Sequence, residues 1–336
     1  MASELPHAAI DRRTFLAVVC LGFTGVPVSV SAQPVAKVSR IGYLSATSEP
    51  AQRANREAFI RALSEHGWVE GRNLTVEYRF ANGAVEALSF LAAELARSRV
   101  DLIVTTAGST TALAAKRATD RIPIVFTSGL DPVELGIVSN LARPDGNVTG
   151  IGGDLTVIEK RLEALRDVTP KATRYGVLVN PSNRVHPIVV RTLEATAARL
   201  KVGLQQIPVR DPAGFDAAWV VIRRDALGGV VMLGDAMFQT HGKRLIALAA
   251  EARLPMVVAT SQLVREGGLM SFAVDVLSLQ RQAAEIVDRI LRGAAPSEIP
   301  IEEPRKFEMV INLKTAEAIG LTIPQPVLLM ADEVLR

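Results

Sequence analysis

Small hydroxyl, amide and acidic side chains recur in this 336-residue chain directly after short apolar runs. Ser45 and Thr47 follow the run ending at Leu44. Gly108, Ser109 and Thr110 follow Leu102-Ile103-Val104, and Ser128 and Asp131 follow Ile122 to Phe126. In the second half, Asn180, Ser182 and Asn183 follow a run ending at Val179. Asp235 follows Val230 to Leu233, and Ser261 follows Pro255 to Ala259. Continuous apolar runs of this length, alternating with helical segments, read as buried parallel strands. In an open α/β sheet the ligand crevice lies beyond the carboxyl ends of such strands. Hydroxyls, amides and helix-start N–H groups placed there can hold a polar guest. Each residue alone is equally a good helix N-cap. Their shared position at strand ends makes a common crevice the expectation.

The residue types suggest how a guest would be held. Gly108, Ser109 and Thr110 sit where a helix begins and could hold an anionic end. Asp235 and Asp275 could receive an ammonium group through charge-assisted hydrogen bonds. Phe272 and Tyr43 could pack an apolar part. These roles suit a small amino-acid-like or other carboxylate-bearing solute. A sugar-like or nucleoside-like solute, with Asn180 and the hydroxyls as neutral partners, is the alternative.

Bond-making chemistry has no comparable signature. G-x-S-x-G, H-E-x-x-H and G-x-x-x-x-G-K-[ST] are all missing. Thr106 to Thr110 contains a single glycine and is no dinucleotide fingerprint. His66, His186 and His241 are far apart and lack ligand spacing, so neither a metal site nor a cofactor is expected. Asp235 and Asp275 as paired catalytic carboxylates are a weaker reading than two helix caps.

The elements that would position these residues follow one rhythm. Strand-like runs lie at Val38 to Leu44, Leu74 to Phe80, Leu102 to Val104, Ile122 to Phe126 and Asn147 to Ile151. Helical patterns lie between them at Ala51 to His66, Val85 to Arg97 and Thr111 to Thr119, with a short one expected at Gly136 to Leu141. After Asp154 the alternation restarts with a helix over Val157 to Val168 and continues to Ala259. Gly267 to Asp275 reads as a strand-like connector, Leu277 to Leu291 as an amphipathic helix, and Phe307 to Ile311 as a strand. Ile299 to Pro304 is too proline-rich for a central strand.

Composition sets the class. Hydrophobic residues make up 49% and aromatics 4%, which suits an aliphatic α/β protein of two lobes. Thirty-eight basic side chains against 35 acidic ones give no electrostatic footprint for nucleic acid. Residues 1–32 have the pattern of a secretory signal, with Arg12-Arg13 before an apolar stretch and a small-residue exit at Val30-Ser31-Ala32. Cleavage after Ala32 would make Gln33 the mature start. Asp11 to Leu16 also resembles the twin-arginine export motif, which would imply export in a folded state. Cys20 would leave with the signal.

Several stretches together resemble the substrate-binding proteins of bacterial ABC transporters, in the family related to tryptophan/tyrosine-type uptake binding proteins. They are Val69 to Arg79 (VEGRNLTVEYR), Ala112 to Thr119 (ALAAKRAT), Ile122 to Phe126 (IPIVF), Leu141 to Gly150 (LARPDGNVTG), Gly267 to Ser271 (GGLMS) and Lys306 to Asn312 (KFEMVIN). The resemblance spans residues 38–336 in order. It implies a type I periplasmic-binding fold, an α/β protein of two doubly wound parallel-sheet lobes joined by a three-segment hinge. Lobe 1 would be 38–152 plus 274–302, and lobe 2 would be 153–273 plus 303–336. It also implies a periplasmic, non-enzymatic monomer that gives a small molecule to membrane permease subunits. A ligand-sensing module for a receptor partner is the alternative, and a cleft enzyme a third. Two departures bear on the ligand. Phe272-Ala273 stand where family members often have Tyr-Gly, and Ser182-Asn183-Arg184 stand where a second Pro is common.

Overall fold

The computed structural model describes residues 38–127, 132–153 and 155–336, so the signal expected over 1–32 lies outside the described residues, as do Ser128 and Asp131. The apolar runs of the first half become β1 (Ser39–Ser45), β2 (Leu74–Phe80), β3 (Leu102–Thr106), β4 (Ile124–Phe126) and β5 (Val148–Gly150). They form one parallel sheet in the order β2-β1-β3-β4-β5. Helices α1 (Glu49–Glu65), α2 (Leu88–Arg97) and α3 (Ser109–Ala118) connect the first four strands. Gly136 to Leu141 forms turns and bends rather than the expected helix. The Pro132 carbonyl accepts from both Ile137 and Val138, and Gly136 has φ 70, a left-handed step at which a helix cannot propagate.

The second half builds a seven-stranded sheet from β6 (Arg174–Val179), β7 (Gly203–Pro208), β8 (Val230–Met232), β9 (Met256–Val258), β10 (Met270–Val274), β11 (Phe307–Asn312) and β12 (Glu333–Leu335). Its order is β12-β11-β10-β9-β8-β6-β7. All pairings are parallel except β10 with β11, which is antiparallel because the chain leaves for the other lobe and returns between them. Around this sheet lie α4 (Thr156–Val168), α5 (His186–Leu200), α6 (Phe215–Arg224), α7 (Ala236–Thr240), α8 (Gly242–Glu251) and α9 (Ser261–Arg265). The long helix α10 (Val276–Leu291) packs on the first lobe, while α11 (Leu313–Ala318) and α12 (Gln325–Leu329) belong to the second.

Alternation along each strand feeds two cores per lobe, one on each sheet face. Ile41 and Tyr43 point into a cluster with Phe59 of α1 and Ala283, Ile286 and Val287 of α10. Leu44 points the other way, to Leu88 and Leu95 of α2. In lobe 2, Tyr175 and Val177 join α4 and α5, whereas Leu178 joins Trp219, Phe238 and Leu245. Each such large side chain stabilises the fold by about 1.5–3 kcal/mol on burial.

Three passages, 151–153, 274–276 and 302–306, connect elements packed on one sheet with elements packed on the other. The first and third passages pair as a short bridge, with Gly152 N donating to Glu302 O at 2.9 Å and Glu302 N to Gly150 O at 3.0 Å. The second and third meet through Asp275 N and Lys306 O at 2.9 Å. Gln282 of α10 grips the third passage, donating to Glu303 O at 3.0 Å and accepting from Arg305 N at 3.0 Å. Among the described residues no helix is long and apolar enough to cross a membrane.

Candidate functional site

The carboxyl ends of the central strands in both sheets face one cavity of about 210 Å³ between the lobes. Lobe 1 brings the turn from β3 into α3. Ala107 has φ 62 and Gly108 φ 108 there, two successive left-handed residues that swing the start of α3 to the cavity wall. A non-glycine residue in this region costs of order 1 kcal/mol or more, and such strain is concentrated at functional sites. The first turn of α3 brings Ser109 and Thr110 to the cavity wall, at the helix end that favours an anionic or polar guest. Thr127, Gln52 of α1 and Gln280 of α10 complete this side.

Lobe 2 contributes a different chemistry. Arg161 on α4 is 6% exposed and borders the cavity. Its Nε donates to Phe272 O at 2.9 Å and one terminal nitrogen to Ala259 O at 2.8 Å, tying α4 to the middle of β10 and to the residue that follows β9. Burial pulls its pKa down to about 10, so the guanidinium is charged at neutral pH. Among the described residues its hydrogen-bond partners are carbonyls and include no carboxylate. A buried charge without a counter-ion is costly and demands one.

Asp235 also borders the cavity, but its oxygens are occupied. One accepts from Met237 N at 2.9 Å and Phe238 N at 3.3 Å as the cap of α7. The other accepts from the Asn180 and Asn183 amides at 3.1 and 2.9 Å. His186, fully buried beside it, accepts from Asn180 N through Nδ1 at 2.9 Å. That bond leaves its proton on Nε2, which faces Gly234 O at 3.4 Å. Burial lowers the imidazole pKa, with Asp235 and the Gly234 carbonyl acting in the opposite direction.

Of the residues expected at the site, Gly108, Ser109, Thr110, Asp235 and Ser261 line the cavity. Ser45 and Thr47 stand behind it. Their hydroxyls bond each other at 3.1 Å, and Thr47 accepts at 3.0 Å from Gln52, which does line it. Tyr43 is wholly buried in the lobe 1 core and donates to Gln52 at 3.2 Å; burial pushes its phenol up to about 12. Asn180 serves the wall from behind through Asp235 and His186, and Ser182 is exposed outside it. Phe272 stacks on Phe307 at 6.2 Å, and it is Phe307 that faces the cavity.

Asp275 is likewise outside the wall. It caps α10 through Ser278 N at 2.7 Å and pairs with Lys306 at 3.1 Å. Burial alone would raise its carboxyl, but those two partners outweigh it and hold the pKa below the usual range. Gln52, Arg161 and Gln280 escaped a reading centred on strand ends because each lies within a helix. Their signal was a polar residue at an apolar-face position. Arg161 is spaced three and four residues from Ile158 and Leu165, and Gln280 is spaced three and four residues from Ala283 and Ala284. Among the described residues no cluster of His, Cys, Asp or Glu could hold a metal ion.

The family model described as ABC transporter substrate binding protein matches residues 40–335. A protein of Clostridioides difficile (strain R20291) named Tyrosine-binding protein is 26% identical over 292 residues, which cover 85% of this chain and 82% of that one. A conserved domain protein from Vibrio cholerae superposes with a TM-score of 0.83 at 28% identity, over 89% of this chain and all of that one. An ABC domain from Streptococcus pneumonia in complex with L-Trp superposes at 0.81 with 22% identity, over 88% and 99% of the two chains, a likeness of fold. The two sheet-bearing lobes around a shared cavity are the type I periplasmic-binding arrangement. By its matched length and its architecture, this chain belongs to the ABC transporter substrate-binding protein family.

Proposed function

We propose that this protein is the solute-binding component of an ABC importer and captures a small amino-acid-like, carboxylate-bearing solute between its lobes for delivery to a membrane permease. The observation that carries the ligand class is Arg161, a buried cation on the cavity wall with no carboxylate among its hydrogen-bond partners in the described residues. A solute carboxylate would supply the missing counter-ion, and the start of α3 faces it from the other lobe with the positive end of its dipole. The tyrosine-binding relative and the L-Trp complex of the pneumococcal domain support the same class. Contacts from both lobes would favour the closed form, the state a permease would recognise. In this reading the protein acts as a periplasmic monomer without catalysis or nucleic acid. In the same reading the three passages near 152, 274 and 302 act as its hinge, with lobe 1 formed by 38–152 plus 274–302 and lobe 2 by 153–273 plus 303–336.

Thermal-shift screening of L-tryptophan, L-tyrosine, other amino acids, polyols and nucleosides tests the ligand class. A ligand at a hundredfold excess over Kd stabilises by roughly 2.7 kcal/mol. Amino acids should shift the wild type, and Arg161→Met should lose most of that shift. A polyol or nucleoside shifting the protein while amino acids do not would refute the reading. Export is tested separately by the intact mass of periplasmic protein, which should begin at Gln33. Arg12→Lys with Arg13→Lys should retain the precursor if the twin-arginine route is used.

A further inference from the structure

Lobe 1 offers the cavity a buried amide oxygen that the fold itself does not use. Gln280 lies one turn into α10, is 1% exposed and borders the cavity. Its carboxamide oxygen is buried and has no hydrogen-bond partner among the described residues. The neighbouring amides are employed. Gln282 grips the third passage, and Gln52 bonds Thr47 and Tyr43. Gln280 shares its helix face with Val276, Ala283, Ala284 and Val287, where an apolar residue of similar size would pack without an orphaned oxygen. A buried acceptor left without a donor destabilises by more than an ordinary hydrogen bond contributes. Buried polar groups of this kind call for a partner that arrives from elsewhere.

We propose that Gln280 reads a hydrogen-bond donor on the solute, the ammonium or hydroxyl group next to the carboxylate, from lobe 1 while Arg161 holds the carboxylate from lobe 2. The inference rests on the carboxylate reading given above. It assigns the donor to Gln280 because the two acids expected to receive it are committed. Asp235 already accepts four hydrogen bonds, about the capacity of a carboxylate. Asp275 lies outside the wall and is engaged by Ser278 N and Lys306. A solute held through these two adjacent groups is bonded to both lobes, so its two contacts form together only when the lobes are closed. A carboxylate lacking the donor would leave the Gln280 oxygen orphaned, and sites of this kind discriminate strongly against such analogues.

The test uses the full mature chain, wild type, Gln280→Leu and Gln280→Met, with calorimetric titration of L-tryptophan and of indole-3-propanoate, the same acid without its amino group. The wild type should prefer L-tryptophan by roughly tenfold or more, and both variants should bring the two affinities to within about threefold of each other. The unliganded melting midpoint of the variants should equal or exceed that of the wild type. A preference that survives both substitutions overturns the proposal, and so does a midpoint lowered by several degrees in both, which would make Gln280 a structural residue. If neither compound binds the wild type, the carboxylate reading is what fails for these probes. The midpoints then decide on Gln280 alone, a rise or no change supporting a ligand contact and a fall overturning it.

Discussion

Asp235 illustrates how one side chain can face a ligand cavity and still belong to the scaffold. It caps α7 and anchors both Asn180 and Asn183 while lying 4.0 Å from His186 Nε2. Removing it takes away a cap of about 1 kcal/mol and orphans buried amides at about 1–3 kcal/mol. Asp235→Ala should therefore lower unliganded stability by roughly 2–4 kcal/mol in urea unfolding, and an unchanged stability would free Asp235 for the ligand. His186 carries a pH dependence. Burial depresses its folded pKa below the ordinary value of 6.5, so the unfolded chain binds its proton first. The stability this represents is complete above about pH 6.5 and is lost as pH falls through the folded value. Melting midpoints should drop more between pH 7.5 and 5.5 in the wild type than in His186→Asn, whose amide oxygen can still accept from Asn180 N.

At the scale of elements, the passages between lobes depend on close backbone approach. A Cβ at Gly150 would fall 2.1 Å from Phe126 O, in the strand β4 that pairs with β5. Only glycine fits, and the first passage begins at the next residue. Gly150→Ala should cost about 3 kcal/mol or more, among the larger single-residue effects. It should also alter closure, since Gly150 O accepts from Glu302 N of the third passage. Urea unfolding checks the first effect. An alanine variant of wild-type stability would show that β4 and β5 can separate at no cost.

At the scale of the molecule, the lobes meet at the rim of the cavity as well as through the hinge. Gly83 of lobe 1 lies against α7 of lobe 2, with a Cβ there 3.5 Å from Met237 Cα. Glu134 and Arg191 form an ion pair across the rim at 2.6 Å, with side chains 45% and 59% exposed. A pair so exposed contributes at most about 1 kcal/mol. Reversing the charge of one partner still places like charges face to face. Arg191→Glu should raise the radius of gyration of the unliganded protein in X-ray scattering at low salt, and the difference should fade near 1 M salt, where screening acts within about 3 Å. A radius independent of charge and salt would show that the rim pair has no part in closure.

Much of this was determined by the sequence alone. Runs such as Leu102-Ile103-Val104 can be satisfied only by burial on both faces, which requires helices above and below and so imposes the parallel, doubly wound architecture. The turn residues after them mark one end of each sheet, and Gly108, Ser109, Thr110, Asp235 and Ser261 do reach the cavity. Strand-end position does not say which atoms remain available. That depends on the partners each atom finds in the fold: the Ser45 and Thr47 hydroxyls are bound to each other and Thr47 also to Gln52, while Asn180 is bound to an acid 55 residues away. The short edge strand β12 and the antiparallel β10–β11 pairing were likewise invisible, because three residues carry no period and strand direction follows from where the chain returns. Arg161 and Gln280 appear in the sequence as polar interruptions of apolar helix faces. Only the tertiary structure brings them to the same cavity from opposite lobes, where a buried charge and a buried amide each need a partner that the fold does not supply.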